Sequence, residues 1–269
     1  MSVNQAMISV IITTKNRITL LPRAIQSVLG QTWTDVEIIV VDDGSDVPVE
    51  LPTTDPRVRL IRNEKSQGVG EARNIGFRQA TGQYFCILDD DDWYLPEKLE
   101  RQLDFLRSHP EIDLVFSRVI MRNPMNEESH FLPLDHVHTP EINLYAFNVI
   151  HPGSVLFRRS VFDKIQFSPR LKKYEDTLFF NQICFAFQTA FLPLDVSVWM
   201  RDDRSDQLSL RVNKANYDNF SIVCEGLDDV LRQHPQIRRL YYKRLAWQAL
   251  RCGHVGGVLR AAGKAYLQG

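Results

Sequence analysis

The chain has 269 residues, 44% hydrophobic and 24% charged, which is enough to bury an α/β core in one large domain and excludes a disordered chain. Lys and Arg (32) nearly balance Asp and Glu (33), so whole-chain charge gives no footprint for a nucleic-acid partner. Cys86, Cys184, Cys224 and Cys252 stand far apart with no CxxC pair, which argues against a zinc site or disulfide scaffold and suits a reducing cytosol, and no stretch approaches the ~18 apolar residues of a membrane span.

The first third alternates β-branched runs with amphipathic segments. Ile8 to Thr13 reads as a strand, Leu20 to Leu29 as a helix and Glu37 to Val41 as a second strand, the pattern of βαβ units and a parallel sheet. Strands are predicted at Val58 to Ile61 and Tyr84 to Leu88, with a helix from about Gly70 to Ala80 between them and another starting near Pro96. The second half gives a strand at Leu114 to Ile120, a polar loop through Asn123 to His138, a short strand at Val155 to Phe157 and a helix around Asp176 to Phe187. Residues 238–269 hold seven Lys or Arg and no Asp or Glu, interspersed with Tyr241, Tyr242, Leu245, Trp247 and Leu250.

Ligands of such sheets gather beyond the strand C-terminal ends. There the sequence places TTKNR (13–17), DDGSD (42–46) and DDDDW (89–93), so hydroxyls and carboxylates converge on one rim. Four adjacent carboxylates, Asp89 to Asp92, repel unless a cation is shared, and a hard divalent ion held by one or two of them plus substrate phosphate oxygens answers that need. An acidic helix N-terminus before Pro96, capped by Asp92, accounts for the same residues; their place on the rim favours the metal. VVDDGS (40–45) puts a carboxylate where it can accept a hydrogen bond from a nucleobase or ribose, and it is also ordinary turn chemistry. GVGEARNIG (68–76) is not a GxGxxG fingerprint; it reads as a loop and helix start near phosphates, with Arg73 either a charge partner for them or paired to a nearby Asp. Glu175 and Asp176 open an apolar helical run, the position of a cap. A carboxylate there can also take the proton of a substrate hydroxyl, with Asp176 the leading candidate and Glu175 the second.

Taken together, SVIITTKNR (9–17), VVDDGS (40–45), GVGEARNIGFRQATGQYFCILDDDDWYLPEKLERQ (68–102) and YEDTLFF (174–180) resemble family 2 of the glycosyltransferases, in order and spacing, over roughly Ile8 to Leu210. The resemblance implies a GT-A fold, a Rossmann-like, mainly parallel twisted sheet flanked by helices, here with a helical C-terminal tail. It implies a catalytic domain over 1–212, with the donor part at 1–120 and the acceptor part at 121–212, and a helical basic region at 213–269. It further implies a nucleotide diphosphate sugar as donor, UDP by family habit, Mn²⁺ or Mg²⁺ as cofactor, and inversion by direct displacement. Thr13 and Asp42 would hold the nucleoside, Asp89, Asp90 and Asp91 would stand for the DxD element with Asp91 the direct metal ligand, and Asp176 would be the general base. Arg73 resembles the donor-side arginine of an ARN motif. HPGSVLFRR (151–159) resembles the segment preceding the ED pair, and WMRDDRSDQLS (199–209) the late basic loop whose Arg201 or Arg204 would neutralise the diphosphate. Two departures stand out: the proline-aromatic usual after the first strand is replaced by Thr13 to Lys15, and the late loop has no histidine.

The expected acceptor is a glycan or lipid-linked hydroxyl, in bacterial surface polysaccharide or lipopolysaccharide synthesis by family breadth, on a cytoplasmic chain. The basic, aromatic tail is open to docking on an anionic membrane surface, packing on the catalytic domain or self-association. A nucleotidyltransferase shares the sheet and acidic ligands but would want a glycine-rich basic loop, which TTKNR is not. A glycan-binding or scaffolding relic would not need intact DxD and ED elements.

Overall fold

The computed structural model describes residues 7–123, 125–131, 139–200 and 214–266. Among these, nine strands form one sheet: β1 (Ile8–Thr14), β2 (Val36–Asp42), β3 (Val58–Arg62), β4 (Tyr84–Asp89), β5 (Trp93–Tyr94), β6 (Leu114–Arg122), β7 (Glu128–Phe131), β8 (Val155–Arg158) and β9 (Thr189–Met200). Their order is β3-β2-β1-β4-β8-β6-β9-β5, with β7 on the far part of β6. The β3-β2-β1-β4 half is parallel throughout. Around β8 the pairing turns antiparallel, and β6 and β9 run parallel. This is the mainly parallel α/β sheet expected.

Strand alternation divides the core into two layers, because successive side chains point to opposite faces. Ile8, Val10 and Ile12 of β1, Ile38 and Val40 of β2, and Cys86 and Leu88 of β4 pack against α1 (Leu21–Leu29) and α3 (Lys98–Ser108). Ile11, Ile39, Val41, Phe85 and Ile87 face the opposite layer, which contains α2 (Val69–Gln79). Helix α1 buries Leu21, Ala24, Ile25 and Val28, the i, i+3, i+4, i+7 stripe of an amphipathic helix, with Pro22 in its first turn. Each fully buried Leu, Ile or Val contributes roughly 1.5–3 kcal/mol. Helix α2 sits unusually close to β1 because Gly76 has no side chain: a Cβ there would lie 2.5 Å from Ile11 Cγ2.

The later elements depart from the sequence expectations in two places. Part of the polar stretch expected as a loop over 123–138 forms β7, which pairs antiparallel with the end of β6. Strand β9 has no counterpart in the sequence reading, since TAFLPLDVSVWM contains Pro193 and Asp195 and lacks clean alternation. The β6–β9 ladder accommodates them with register shifts at Ser117/Arg118 and Arg118/Val119. After the 3-10 turn at Pro152–Ser154 and β8 come α5 (Arg159–Lys164) and α6 (Glu175–Ala186); α4 (Pro140–Tyr145) precedes them. Helices α7 (Lys214–Gly226), α8 (Asp228–Gln233), α9 (Pro235–Arg251) and α10 (Val255–Tyr266) make up the tail. They share a third core, in which Phe220, Tyr241, Tyr242 and Leu245 meet Leu144, Leu171 and Leu178. The basic tail is therefore helical and packed on the rest of the chain, through one aromatic face. Trp247, Leu250, Val255 and Leu259 stay exposed.

Candidate active site

Two cavities lie at the C-terminal rim of the parallel strands. The first, about 550 Å³, is lined by Thr13, Thr14, Lys15, Asn16, Arg17, Asp43, Ser66, Gly68, Val69 and Lys172. The second, about 600 Å³, is reached past Val69 and Lys172, which line both, and is walled by Arg73, Asp89, His151, Glu175, Asp176 and Trp199 among others.

The β2 carboxylates divide their work in a way the sequence reading did not foresee. Asp42, expected at the nucleoside, is fully buried; it accepts from the Ser45 amide at 2.9 Å and pairs with Arg62, and it does not line the cavity. Asp43 does line it. Asp43 accepts from the Gln67 amide (2.8 Å), Ser66 Oγ (2.7 Å), Asn63 Nδ2 (2.9 Å) and the Gly68 amide (2.9 Å). Burial opposes its charge, yet these donors hold the carboxyl below its ordinary value. Gly68 sits at φ 95°, a backbone shape that favours glycine, just where its amide must turn to Asp43 before α2 begins. Asn16 and Asp46 exchange hydrogen bonds, tying the β1 loop to the β2 loop across the cavity mouth.

The four-carboxylate run after β4 is neutralised from within. Arg17 bridges Asp90 at 2.6 Å and Asp91 at 2.7 Å, and Arg73 reaches Asp89 at 2.8 Å. Asp90 also accepts from Thr14 Oγ1 at 2.6 Å; burial, despite Arg17 and Thr14, pushes its pKa up to about 7. Asp92, buried, accepts from the Met200 amide at 3.0 Å, and burial with the repulsion of Asp91 and Asp89 raises its pKa well above the ordinary range. The sequence argument that this run needs a counter-charge is met by two arginines in this state. Asp91 and Asp89 keep about a quarter of their side-chain surface exposed, 24% and 27%, whereas Asp90 and Asp92 keep almost none. Two partly open carboxylates suit a hard divalent cation that completes its shell with phosphate oxygens. Among the described residues no group of three His, Cys, Asp or Glu forms an all-protein metal cage.

Arg73 connects this run to the ED pair. It is buried, donates to Asp89 and to Glu175 Oε1 (3.0 Å), and stands 5.3 Å over the Phe167 ring. Both sequence readings of Arg73, structural partner and donor-side cation, are thus compatible with its position. Helix α2 can bring it there because Gly70 meets the Glu175 side chain, where a Cβ would stand 3.3 Å from the Glu175 Cβ. Tyr174 precedes α6 at φ 63°, an uncommon shape for a non-glycine residue, and turns the chain so that Glu175 points to Arg73 while Asp176 lines the second cavity. Burial and the Asp176 charge, against Arg73, push the Glu175 pKa up to about 7; burial raises Asp176 as well.

His151 is a site residue that sequence reading had only as part of a segment. The Gly153 amide donates to its Nδ1 at 3.1 Å, so a neutral ring carries its proton on Nε2, which stands 4.0 Å from Asp92. Burial, despite Asp89, lowers its pKa to about 4, so the ring is neutral at physiological pH. Arg17, Asp43, Lys172, Lys173, Trp199 and Arg244 were likewise not singled out. The structure brings Thr13, Arg73, Asp89, Glu175 and Asp176 to the two cavities, keeps Asp91 beside Arg17, and turns Asp42 and Asp90 inward. Arg201 and Arg204 lie outside the described residues.

Comparisons with known proteins bear on the family and the fold. A 39% identical "Uncharacterized glycosyltransferase" of Haemophilus influenzae matches over 112 residues, 41% of this chain and 38% of that one, so the chain spans well under two thirds of that relative's length. The "Uncharacterized glycosyltransferase YwdF" of Bacillus subtilis is 28% identical over 86% of this chain and 91% of its own. Among solved structures, S. aureus TarS 1-349 in complex with UDP-GlcNAc superposes with a TM-score of 0.72 at 17% identity, covering 97% of this chain and 81% of that one, a likeness of fold. That fold is the GT-A fold expected. The family profile Glycosyl transferase family 2 matches residues 9–166, which carry both β-rim carboxylate motifs and Arg73 and stop short of the ED pair. With more than half the sequence inside that profile and the sheet, rim and carboxylate runs arranged as described, the chain belongs to glycosyl transferase family 2.

Proposed function

We propose that this protein moves a sugar from a nucleotide diphosphate sugar, UDP-linked, to a hydroxyl group of a glycan or lipid-linked acceptor, with inversion at the anomeric carbon. The observation that carries the reading is the adjacency of two cavities sharing Val69 and Lys172, one faced by Asp43 and Arg17, the other by Asp176. TarS, whose fold is shared, was solved with UDP-GlcNAc, which supports the choice of donor.

In this reading the nucleoside occupies the first cavity. Asp43, held ionised by its four donors, fixes the loop of Ser66, Gln67 and Gly68 against the base, and Thr13 lies beside it. Arg17 and Lys172 supply positive charge where the diphosphate leaves. Asp91, with Asp89, would hold Mn²⁺ or Mg²⁺; when bound, the ion supplies charge stabilisation for the departing diphosphate. Arg73 is a positioning residue that fixes Asp89 and Glu175 relative to each other. Asp176 takes the proton from the acceptor hydroxyl as that oxygen attacks the anomeric carbon from the face opposite the leaving diphosphate. His151 offers an Nε2 proton to a substrate oxygen in the same cavity. The exposed Trp247, Leu250, Val255 and Leu259 support peripheral membrane contact through 238–269; no helix of the described residues is long and apolar enough to cross a membrane.

Asp176→Asn tests the assignment of the base. Release of UDP from UDP-GlcNAc and related donors, with an acceptor mixture present, should fall by about 10²–10⁴-fold while UDP binding persists. Turnover close to native in that variant would remove Asp176 from the role.

A further inference from the structure

The second cavity holds two cations that the donor chemistry does not use. Its cations are Arg73, Lys172, Lys173 and Arg244, and its anions Asp89, Glu175 and Asp176. Arg73 is committed to Asp89 and Glu175, and Lys172 donates to the Gln67 carbonyl at the boundary with the first cavity. Lys173 and Arg244 are differently placed. Lys173 Nζ is buried without a hydrogen-bond partner among the described residues and lies 5.1 Å from the Tyr174 ring centre. The Arg244 guanidinium lies over Phe147 at 4.1 Å and Phe220 at 5.1 Å, and among the described residues it forms no ion pair.

These two cations come from distant parts of the chain. Lys173 stands just before α6, and Arg244 is held by α9, whose Tyr241, Leu245 and Ala249 are buried in the third core. Both line the one cavity, and burial together with the nearby Arg244 charge lowers the Lys173 pKa. Aromatic faces stabilise each cation but supply no negative charge between them. An oxyanion placed between them would. A guanidinium and an ammonium on aromatic walls, in the same cavity as the carboxylate that faces the acceptor, are the donors a phosphate or carboxylate requires.

We propose that Lys173 and Arg244 form an oxyanion-binding subsite, and that the acceptor of this transferase bears a phosphate or carboxylate close to the hydroxyl that is glycosylated. The proposal rests on the transferase reading above and adds to it the chemical class of the acceptor. The tail helices are then part of the acceptor site, since α9 supplies Arg244.

The experiment uses the full chain saturated with UDP and Mg²⁺, so that donor-side cations are already occupied. Tryptophan fluorescence, with Trp199 in the same cavity, follows titration with glycerol 3-phosphate, glucuronate or neutral glucose, in the native protein and in Lys173→Gln and Arg244→Gln. The native protein should bind at least one anion in the millimolar range and more tightly than glucose, and each variant should weaken that anion about tenfold with UDP affinity unchanged. Which anion binds tells phosphate from carboxylate acceptors. A rise in melting temperature on adding the anion, present in the native protein and lost in the variants, guards against misfolding as the cause. Anion binding no tighter than glucose, or equally tight in the variants, overturns the subsite. Failure of UDP to bind the native protein strikes the donor reading instead, and the same anion titrations without UDP then decide the subsite by their dependence on Lys173 and Arg244.

Discussion

At the residue scale, the carboxylates of this protein are sorted by what surrounds them rather than by type. Asp43 is held ionised by four donors, Asp42 is enclosed by its own turn and Arg62, and Glu175 shares a buried corner with Asp176 and Arg73. The ED pair titrates as a unit, because two carboxylates this close cannot be assigned independent protons. With Glu175 raised to about 7, acidifying through that value puts a proton on the pair, and its base form is regained as pH rises. The rate of transfer should therefore have an acid limb near neutrality, and Glu175→Gln, which removes a like charge beside Asp176, should move that limb to lower pH. A pH–rate profile of kcat/KM with UDP-GlcNAc checks this; an unshifted limb would dissociate Glu175 from the base. Arg73→Met strands the buried Glu175 and the half-buried Asp89, and denaturant unfolding should show a loss of about 3 kcal/mol.

At the element scale, strand alternation sets which residues reach the site. On β2, Ile39 and Val41 face α2 while Val40 faces α1, so continuing the alternation past the strand end sends Asp43 toward the start of α2 and Asp42 away from it. That signal was legible in the sequence; the choice of Asp42 came from family resemblance instead. The first four parallel strands, α1, α2 and α6 were all readable from periodicity, within a residue or two at each end. Strand β9 was not, since Pro193 and Asp195 hide it and its pairing with β6, bulged, and with β5 reveals it. The close seating of α2 on β1 makes a further prediction. Gly76→Ala places a methyl group 2.5 Å from Ile11 Cγ2 in a fully buried layer, and should lower unfolding free energy by about 1–3 kcal/mol, read from chemical denaturation, with no change in the slope of the transition.

At the scale of the whole molecule, the rim gathers the loops after β1, β2 and β3 into one cavity and places the end of β4, the start of α6 and the middle of α9 around the next. Sequence motifs located the rim because each follows a buried strand. They carried His151 only inside the segment 151–159 and Lys173 only as the neighbour of the ED motif, and they gave no sign of Arg244, which reaches the site through the packing of α9. Nor could residue types distinguish a metal from an arginine as the counter-charge of Asp89 to Asp92; in this state Arg17 and Arg73 serve, and Asp91 retains the exposure a cation would use. The measurement that tests the central claim most directly is calorimetric titration of UDP, with Mn²⁺ and with EDTA, into the native protein, Asp43→Ala and Asp91→Ala. The account predicts metal-enhanced binding to the native protein, binding weakened at least about tenfold in Asp43→Ala, and binding no longer sensitive to EDTA in Asp91→Ala. A folded native protein that takes up no UDP, or takes it up equally well without the Asp43 carboxylate, would contradict it.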